Sequence, residues 1–100
     1  MQLKDYIPFV DKKYHKITFS GISFDSSKVK KNNIFFAIKG NNFDGNNFIE
    51  EAIKKGAKVI VSERKISNKK GVIFLHSSNI RKLLSLVSFR IFGVDALFFL

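Results

Sequence analysis

Short apolar runs separated by polar, glycine-containing segments dominate the chain and predict an alternation of buried strands and amphipathic helices. Residues 34–38 are too few and too rich in Phe and Ile for an amphipathic surface helix, so they predict a strand that is buried on both faces. Three further segments predict strands: residues 22–24, 58–62 and 72–75. The pattern therefore predicts an α/β fold with a small mixed or parallel sheet flanked by helices.

Helical spacing of apolar residues marks the segments between and after these strands. Residues 3–7 predict a short helix that lies as a lid on the core, and Pro8 ends it. Residues 48–55 predict a second helix, with Asn47 and Glu50 placed as a capping box. A third helix begins after Ser77, Ser78 or Asn79 and ends at Gly93. The expected core residues are Phe36, Ile38, Ile49, Ile53, Ile60, Ile73, Leu84 and Val87.

Two polar loops border the central predicted strand. The first contains Asp25, Ser26 and Ser27, whose hydroxyl and amide groups can bond an anion or cap a turn. The second runs from Gly40 to Gly45, follows the strand and precedes a helix, which is where open α/β sheets place their ligands. Glycine allows positive φ and a close backbone approach to a ligand. An ordinary capped turn and an ordinary strand-to-helix connection remain the alternatives for these two loops.

Length, composition and residue usage limit the class of protein. A chain of 100 residues predicts one small domain, and 45% hydrophobic with 14% aromatic residues indicates a folded one. The absence of cysteine excludes disulfides and thiolate metal sites. The N-terminal residues do not form a signal peptide, and Arg90 and Asp95 interrupt the apolar C-terminal stretch, so no membrane span is expected. These features predict a cytoplasmic protein.

The net charge of +10 invites a nucleic-acid partner, because clustered lysines release counterions from phosphates. The lysines are scattered in pairs along the chain, however, and no arginine-rich helix accompanies them. This distribution favours a solvated basic surface, and a basic nucleic-acid-binding module is kept as an alternative. His15 and His76 have no acidic or metal-ligating residue near them in sequence, so neither is assigned to catalysis or to a metal.

Several short motifs occur in a characteristic order: Asp-Ser-Ser-Lys-Val, then Phe-Phe-Ala-Ile-Lys-Gly, then Asp-Gly-Asn-Asn-Phe before a helix. This order resembles the N-terminal domain of the Mur ligases, and most of all the members that add the third residue to the UDP-N-acetylmuramoyl peptide in peptidoglycan synthesis. The resemblance extends over residues 1–93. Residues 94–100 form an apolar tail that is expected to reflect a truncation or a frame-shift. The members that add D-alanyl-D-alanine are a second candidate.

The resemblance implies that the chain binds a UDP-N-acetylmuramoyl dipeptide. Ser26 is expected to contact the UDP part, Phe24 to line the uracil end, and Asn41, Asn42 and Phe43 to contact uridine. Full-length family members use ATP and Mg²⁺ and contain central and C-terminal ligase domains. No Gly-x-x-x-x-Gly-Lys-Ser/Thr phosphate loop occurs in these 100 residues, so no cofactor and no catalytic residue are expected in this chain, which is predicted to be inactive by itself.

The sequence departs from the family pattern before the central strand. Ser27 stands where the motif usually has Arg, so a charge contact of that Arg is lost or falls to Lys28. Asn32 and Asn33 stand where the family has Gly-Asp. Because Asn also adopts left-handed backbone conformations, the turn is expected to be retained.

Overall fold

The sheet has four strands that are all parallel and lie in the order β1-β2-β3-β4. The computed structural model describes residues 1–69 and 71–94. The strands are β1 (Gly21–Ser23), β2 (Asn33–Phe36), β3 (Val59–Ser62) and β4 (Ile73–His76). Each predicted strand is present with its ends shifted by at most two residues, and the predicted α/β fold is confirmed. The expected apolar tail lies outside the described residues except for Val94.

The helices are α1 (Leu3–Tyr6), α2 (Ile49–Lys54) and α3 (Ile80–Phe92). Three short 3-10 turns connect the elements: Lys12–Tyr14, Ser26–Lys28 and Gly45–Phe48. Within the described residues, no helix combines the length and the apolar character that a membrane crossing requires.

The predicted capping box of α2 is wrong. Phe48 stands at the N-cap and makes no side-chain cap bond, because the chain enters α2 through the 3-10 turn Gly45–Phe48. Asp44 starts that turn by accepting a hydrogen bond from the backbone N–H of Asn46. Glu50 forms a salt bridge with Lys69 at 3.3 Å. An aspartate at the head of the turn therefore replaces the cap that was expected three residues later.

The predicted ends of α3 are confirmed. Asn79 caps the helix, since its Oδ1 accepts a hydrogen bond from the backbone N–H of Lys82 at 3.1 Å. Gly93 ends the helix in the left-handed conformation with φ of 75°. Asn32 also has positive φ, 67°, as expected for a residue that takes the place of glycine in the turn before β2.

Alternate strand residues pack on opposite faces of the sheet. Ile34 and Phe36 belong to the core under α1 and α3, whereas Phe35 belongs to the core under α2. The lid role of α1 is confirmed, because Leu3 and Ile7 are fully buried in the first of these cores. Six of the eight expected core residues are buried: Phe36, Ile38, Ile49, Ile60, Leu84 and Val87. The other two, Ile53 and Ile73, are half-buried against the cores.

Candidate functional site

The loops that follow β1 and β2 leave the sheet at the same edge. The two strands are parallel, with Gly21 beside Asn33 and Ser23 beside Phe35. Their carboxyl ends are therefore neighbours, and the loop after β1, with Phe24 and Ser26, meets the loop after β2, with Phe43. The parallel register thus gives one ligand access to both predicted loops.

A cavity of about 360 Å³ lies between these two loops. Its lining consists of Phe24, Asp25, Ser26, Phe35, Phe43, Gly45 and Phe48. Phe35 is buried, whereas Phe43 and Phe48 are 50% and 42% exposed, so aromatic surface extends from the sheet to the solvent. A volume of this size lies in the range of small-molecule sites, and aromatic walls with a few polar groups are typical of them. The cavity can hold a planar ring against phenylalanine.

Asp25 organises the first loop. Its Oδ1 accepts hydrogen bonds from the backbone N–H of Ser27 at 3.0 Å and from the Ser27 hydroxyl at 2.7 Å. These bonds stabilise the carboxylate and lower the pKa of Asp25 below its ordinary value of 3.8. Turn capping in this loop therefore belongs to Asp25 and leaves the neighbouring Ser26 side chain to other contacts.

Ser26 ties the first loop to α2. Its side chain is buried, and its hydroxyl donates a hydrogen bond to Oε2 of Glu51. The ammonium group of Lys55 donates to the backbone oxygen of Ser27 at 3.2 Å, which adds a second link between the loop and the end of α2. A hydroxyl whose proton is donated to a carboxylate can still accept a hydrogen bond. Ser26 can therefore offer an acceptor to a ligand in the cavity.

Asp44 organises the second loop with the same hydrogen-bond pattern to the residue two positions further along the chain. Its Oδ1 accepts from the backbone N–H of Asn46 at 2.9 Å and from the Asn46 side chain at 2.8 Å, which lowers the pKa of Asp44 below 3.8. Arg64 forms a salt bridge with the other oxygen of Asp44 at 3.1 Å. Ser62, at the end of β3, donates to Oδ1 of Asn46 at 2.6 Å. This network fastens the loop that carries Phe43 and Phe48 to the neighbouring strand.

Gly45 is required for close backbone packing. Its N–H donates to the backbone oxygen of Ile38 at 2.8 Å. A Cβ at this position would lie 2.7 Å from the nitrogen and 2.8 Å from the oxygen of Ile38, distances that side-chain atoms do not adopt. Neither Gly40 nor Gly45 is among the residues with positive φ, so the expected conformational reason for these glycines is wrong. The close approach is to the protein's own backbone.

Asn41 and Asn42 do not line the first cavity. They line an adjoining cavity of about 290 Å³ together with Ile38, Gly40, Phe43 and Arg81. The structure thus brings Phe24, Ser26 and Phe43 together and places the two asparagines at a separate cavity that shares Phe43. Within the described ranges, no group of three His, Cys, Asp or Glu side chains is placed to hold a metal ion.

Several lining and supporting residues were not foreseen from the sequence. Phe48 could have been found, because it directly follows the Asp-Gly-Asn-Asn turn in the same loop as Phe43. Phe35 alternates with Phe36 and Ile34 along β2, but nothing in the pattern tells which face remains open at the strand end. Arg64 and Arg81 come from elements that are distant in sequence, and their approach depends on the packing of the sheet.

Sequence comparison identifies relatives of this chain. Residues 18–84 match the model of the Mur ligase family, catalytic domain. The chain is 43% identical over 81 residues to UDP-N-acetylmuramoyl-L-alanyl-D-glutamate--2,6-diaminopimelate ligase of Clostridium tetani, covering 78% of this chain and 17% of that protein. The ligase of the same name from Aquifex aeolicus is 47% identical over 73 residues, covering 73% of this chain and 15% of the relative. The chain thus spans about a sixth of the length of these relatives.

Solved structures with the same fold lead to the same family. A crystal structure of MurF from Acinetobacter baumannii matches with a TM-score of 0.61 and 27% identity, over 70% of this chain and 15% of that one. MurF ligase from Thermotoga maritima, in complex with ADP, matches with a TM-score of 0.60 and 30% identity, over 72% of this chain and 16% of that one. The family model covers more than half of the 100 residues, and sequence and fold agree. This chain belongs to the Mur ligase family.

Proposed function

We propose that this chain binds a UDP-N-acetylmuramoyl dipeptide, as the substrate domain of a ligase that adds the third peptide residue in peptidoglycan precursor synthesis. The observation that carries the proposal is the aromatic cavity between the loops after β1 and β2. The names of the relatives supply the substrate class, since they are ligases acting on UDP-N-acetylmuramoyl-L-alanyl-D-glutamate. The uridine end of that substrate is the part that fits a cavity walled by phenylalanine.

The cavity offers two kinds of contact to a uracil ring. Phe24 and Phe43 supply aromatic surface, and stacking of a base on such a ring contributes about 1–3 kcal/mol. The Ser26 hydroxyl can accept a hydrogen bond from the ring N–H, and a bond of this kind contributes about 0.5–1.5 kcal/mol. Stacking therefore provides most of the affinity, and Ser26 orients the ring.

The ligase that adds D-alanyl-D-alanine is a second candidate, because the matching solved structures include MurF enzymes. Sequence identity favours the first candidate, at 43% and 47% for the two diaminopimelate-adding relatives against 27% to 30% for the MurF structures. Both candidates act on UDP-linked peptides, so the uridine cavity serves either. No observation beyond the scattered lysines favours a nucleic-acid-binding module.

We assign residues 1–93 to substrate binding and not to catalysis. The 100 residues contain no phosphate loop of the Gly-x-x-x-x-Gly-Lys-Ser/Thr type, so the residues present do not fit ATP or its Mg²⁺ ion in the manner expected of the family. In this proposal ATP, Mg²⁺ and the central and C-terminal domains belong to the longer family members. Neither ATP hydrolysis nor ligase activity is expected of the isolated chain.

Titration of uridine and UDP into Phe43→Ala tests the cavity. Loss of one stacking ring should weaken binding of both ligands by about 5- to 150-fold, which corresponds to 1–3 kcal/mol. NMR chemical-shift titration measures the dissociation constants. Phe89→Ala is the control, because Phe89 is 60% exposed on α3, comparable to Phe43 at 50%, and lines no described cavity of the site. Equal effects of the two substitutions, or no uridine binding by the wild type, would contradict the proposal.

Ser26→Ala separates ligand binding from turn formation. The substitution is expected to weaken uridine binding, because it removes the hydroxyl acceptor from the cavity together with the bond to Glu51. Ser27→Ala is the matched control in the same turn, because the Ser27 hydroxyl bonds Asp25 and does not line the cavity. Equal uridine affinities of both variants and the wild type, or binding that moderate salt abolishes, would mean that surface charge alone attracts the nucleotide.

A further inference from the structure

The outer face of α3 is apolar and exposed. Leu86, Phe89 and Phe92 follow one another on this helix at a spacing of three residues, and they are 38%, 60% and 60% exposed. Phe9 extends the same surface, because it is 58% exposed and lines a cavity of about 290 Å³ together with Leu86. Val94, just past the helix end, is 51% exposed. The helix is thus apolar on its outer side as well as its inner side, whereas a surface helix of a monomer is usually polar on the outer side.

The apolar area of this outer face matches what a small homodimer needs. Because one phenylalanine can bury about 150–250 Å², the three exposed phenylalanines together with Leu86 and Val94 offer about 400–600 Å². A standard protein interface buries about 800 Å² on each partner, of which about 65% is apolar in homodimers, so it needs about 500 Å² of apolar surface. The outer face of α3 therefore suffices for one such interface.

The charges on α3 fit a second copy of the chain in one orientation. The helix carries basic residues, among them Lys82 and Arg90, and no acidic residue. An antiparallel pair with its two-fold axis between Leu86 and Phe89 places Leu86 opposite Phe89 of the second copy and Lys82 opposite Gly93 of the second copy. Gly93 ends α3, and the carbonyl groups at the end of a helix attract a cation. A parallel pair would instead place each basic side chain beside its own equivalent.

We infer that the outer face of α3 is a self-association surface, through which two copies of this chain pair antiparallel. The inference does not rest on the proposed function, because residues that line the uridine cavity lie within 24–48 and none of them belongs to this surface. The net charge of +10 on each copy opposes pairing, and salt screens that repulsion. Pairing should therefore strengthen as salt is added, whereas binding of a polyanion to the basic surface would weaken.

Sedimentation equilibrium over a range of protein concentrations tests the pairing. The wild type should show a reversible monomer–dimer equilibrium whose dissociation constant falls between low and moderate salt. Phe89→Ala should raise that dissociation constant by about 10- to 100-fold, because the centre of the interface loses a ring from both copies. Phe43→Ala is the matched control, since Phe43 is 50% exposed but lies in the loop after β2, and it should dimerise like the wild type. Circular dichroism checks that both variants are folded.

Lys82→Gln tests the antiparallel orientation. It should weaken the dimer by about 3- to 30-fold, because each copy loses the contact of its ammonium group with the helix end of the other copy. Arg81→Gln is the control for a general charge effect. It removes the same charge from the side of α3 that contacts the backbone oxygen of Lys39, so the dimer should be as strong as in the wild type or stronger.

Four outcomes would overturn the inference: a wild type that stays monomeric at every concentration and salt, a dimer that weakens with salt, equal effects of Phe89→Ala and Phe43→Ala on the dimer, and equal weakening by Lys82→Gln and Arg81→Gln. None of them bears on the proposed function, which is tested separately by uridine titration. Phe89→Ala should bind uridine like the wild type, so the two surfaces can be disrupted one at a time.

Discussion

The two faces of the sheet are built from the same strands but are covered to different extents. On one face, the 13-residue helix α3 and the short helix α1 cover a core that includes Phe36. On the other face, α2 has only 6 residues, and the carboxyl end of β2 beside Phe35 remains accessible as the wall of a cavity. Phe35 and Phe36 are neighbours with almost no exposure. The covering helix, and not the strand sequence, explains why Phe35 borders a cavity while Phe36 is enclosed in the core.

The largest expected effect that separates the two faces of the sheet is the loss of stability in Leu84→Ala. Leu84 is fully buried in the core under α3, so the substitution should lower the free energy of unfolding by about 2–5 kcal/mol, since it removes buried methyl groups and leaves a cavity. Denaturant unfolding followed by circular dichroism measures the change. Uridine affinity of the fraction that stays folded should be unchanged.

Leu86→Ala on the same helix is the control for that experiment. Leu86 is 38% exposed, so its truncation should have a much smaller effect on unfolding than Leu84→Ala. A change in uridine affinity for Leu84→Ala as large as that expected for Phe43→Ala would show that the two faces are not independent.

A smaller effect is expected from Gly45→Ala, in the loop that follows β2. The added Cβ would collide with backbone atoms of Ile38, so the loop must shift, at a cost of about 1–3 kcal/mol. Because this loop carries Phe43 and Phe48, uridine affinity should fall together with stability. Unfolding and uridine titration on the same sample test this coupling.

Gly21→Ala is the matched glycine control. A Cβ at Gly21 would meet Asn33 Nδ2 at 3.5 Å, an ordinary contact, and the strand backbone there suits alanine. Little loss of stability and no loss of uridine binding are expected. Normal uridine binding by Gly45→Ala would show that the close approach to Ile38 does not position the loop.

The smallest effect is expected on the stability at acidic pH. The hydrogen bonds in the loops after β1 and β2 lower the pKa of Asp25 and Asp44 below 3.8, so both carboxylates contribute stability that is fully present above pH 3.8. That contribution is lost as the pH falls through the lower pKa of the folded state. Asp44→Asn keeps an acceptor for the Asn46 amide but loses the charge that Arg64 pairs with.

The free energies of unfolding of the wild type and Asp44→Asn should therefore differ at neutral pH and converge in acid. Denaturant unfolding at several pH values measures both. A difference that stays constant through this range would mean that the charge of Asp44 does not contribute. Leu84→Ala supplies the comparison from the core under α3. Its loss of unfolding free energy arises from packing, so that loss should change little with the ionisation of Asp44.

Local signals in the sequence predicted the elements and some of the site. The apolar run ending at Ile38 predicted β2, and the Asp-Ser-Ser motif predicted a loop that the structure places against the cavity with Ser26 in its wall. The cap of α2 was mispredicted because Asn47 and Asp44 both fit cap rules, and only the path of the chain selects between them. Asn41, Asn42 and Phe43 were predicted to contact the same uridine. In the structure, Phe43 lines both cavities, whereas Asn41 and Asn42 line only the second of them.

The sequence by itself determined what depends on near neighbours: strand and helix character, the faces of alternate residues, and the turn headed by Asp25, whose bonds reach only two residues along the chain. The tertiary structure alone decided which loops meet. The contacts that shape the site span 25 residues from Ser26 to Glu51, 20 from Asp44 to Arg64 and 42 from Lys39 to Arg81. Such contacts depend on the parallel order of the strands and on the short length of α2. Local propensity encodes neither of these, because the free energy that fixes them comes from burying the two cores together.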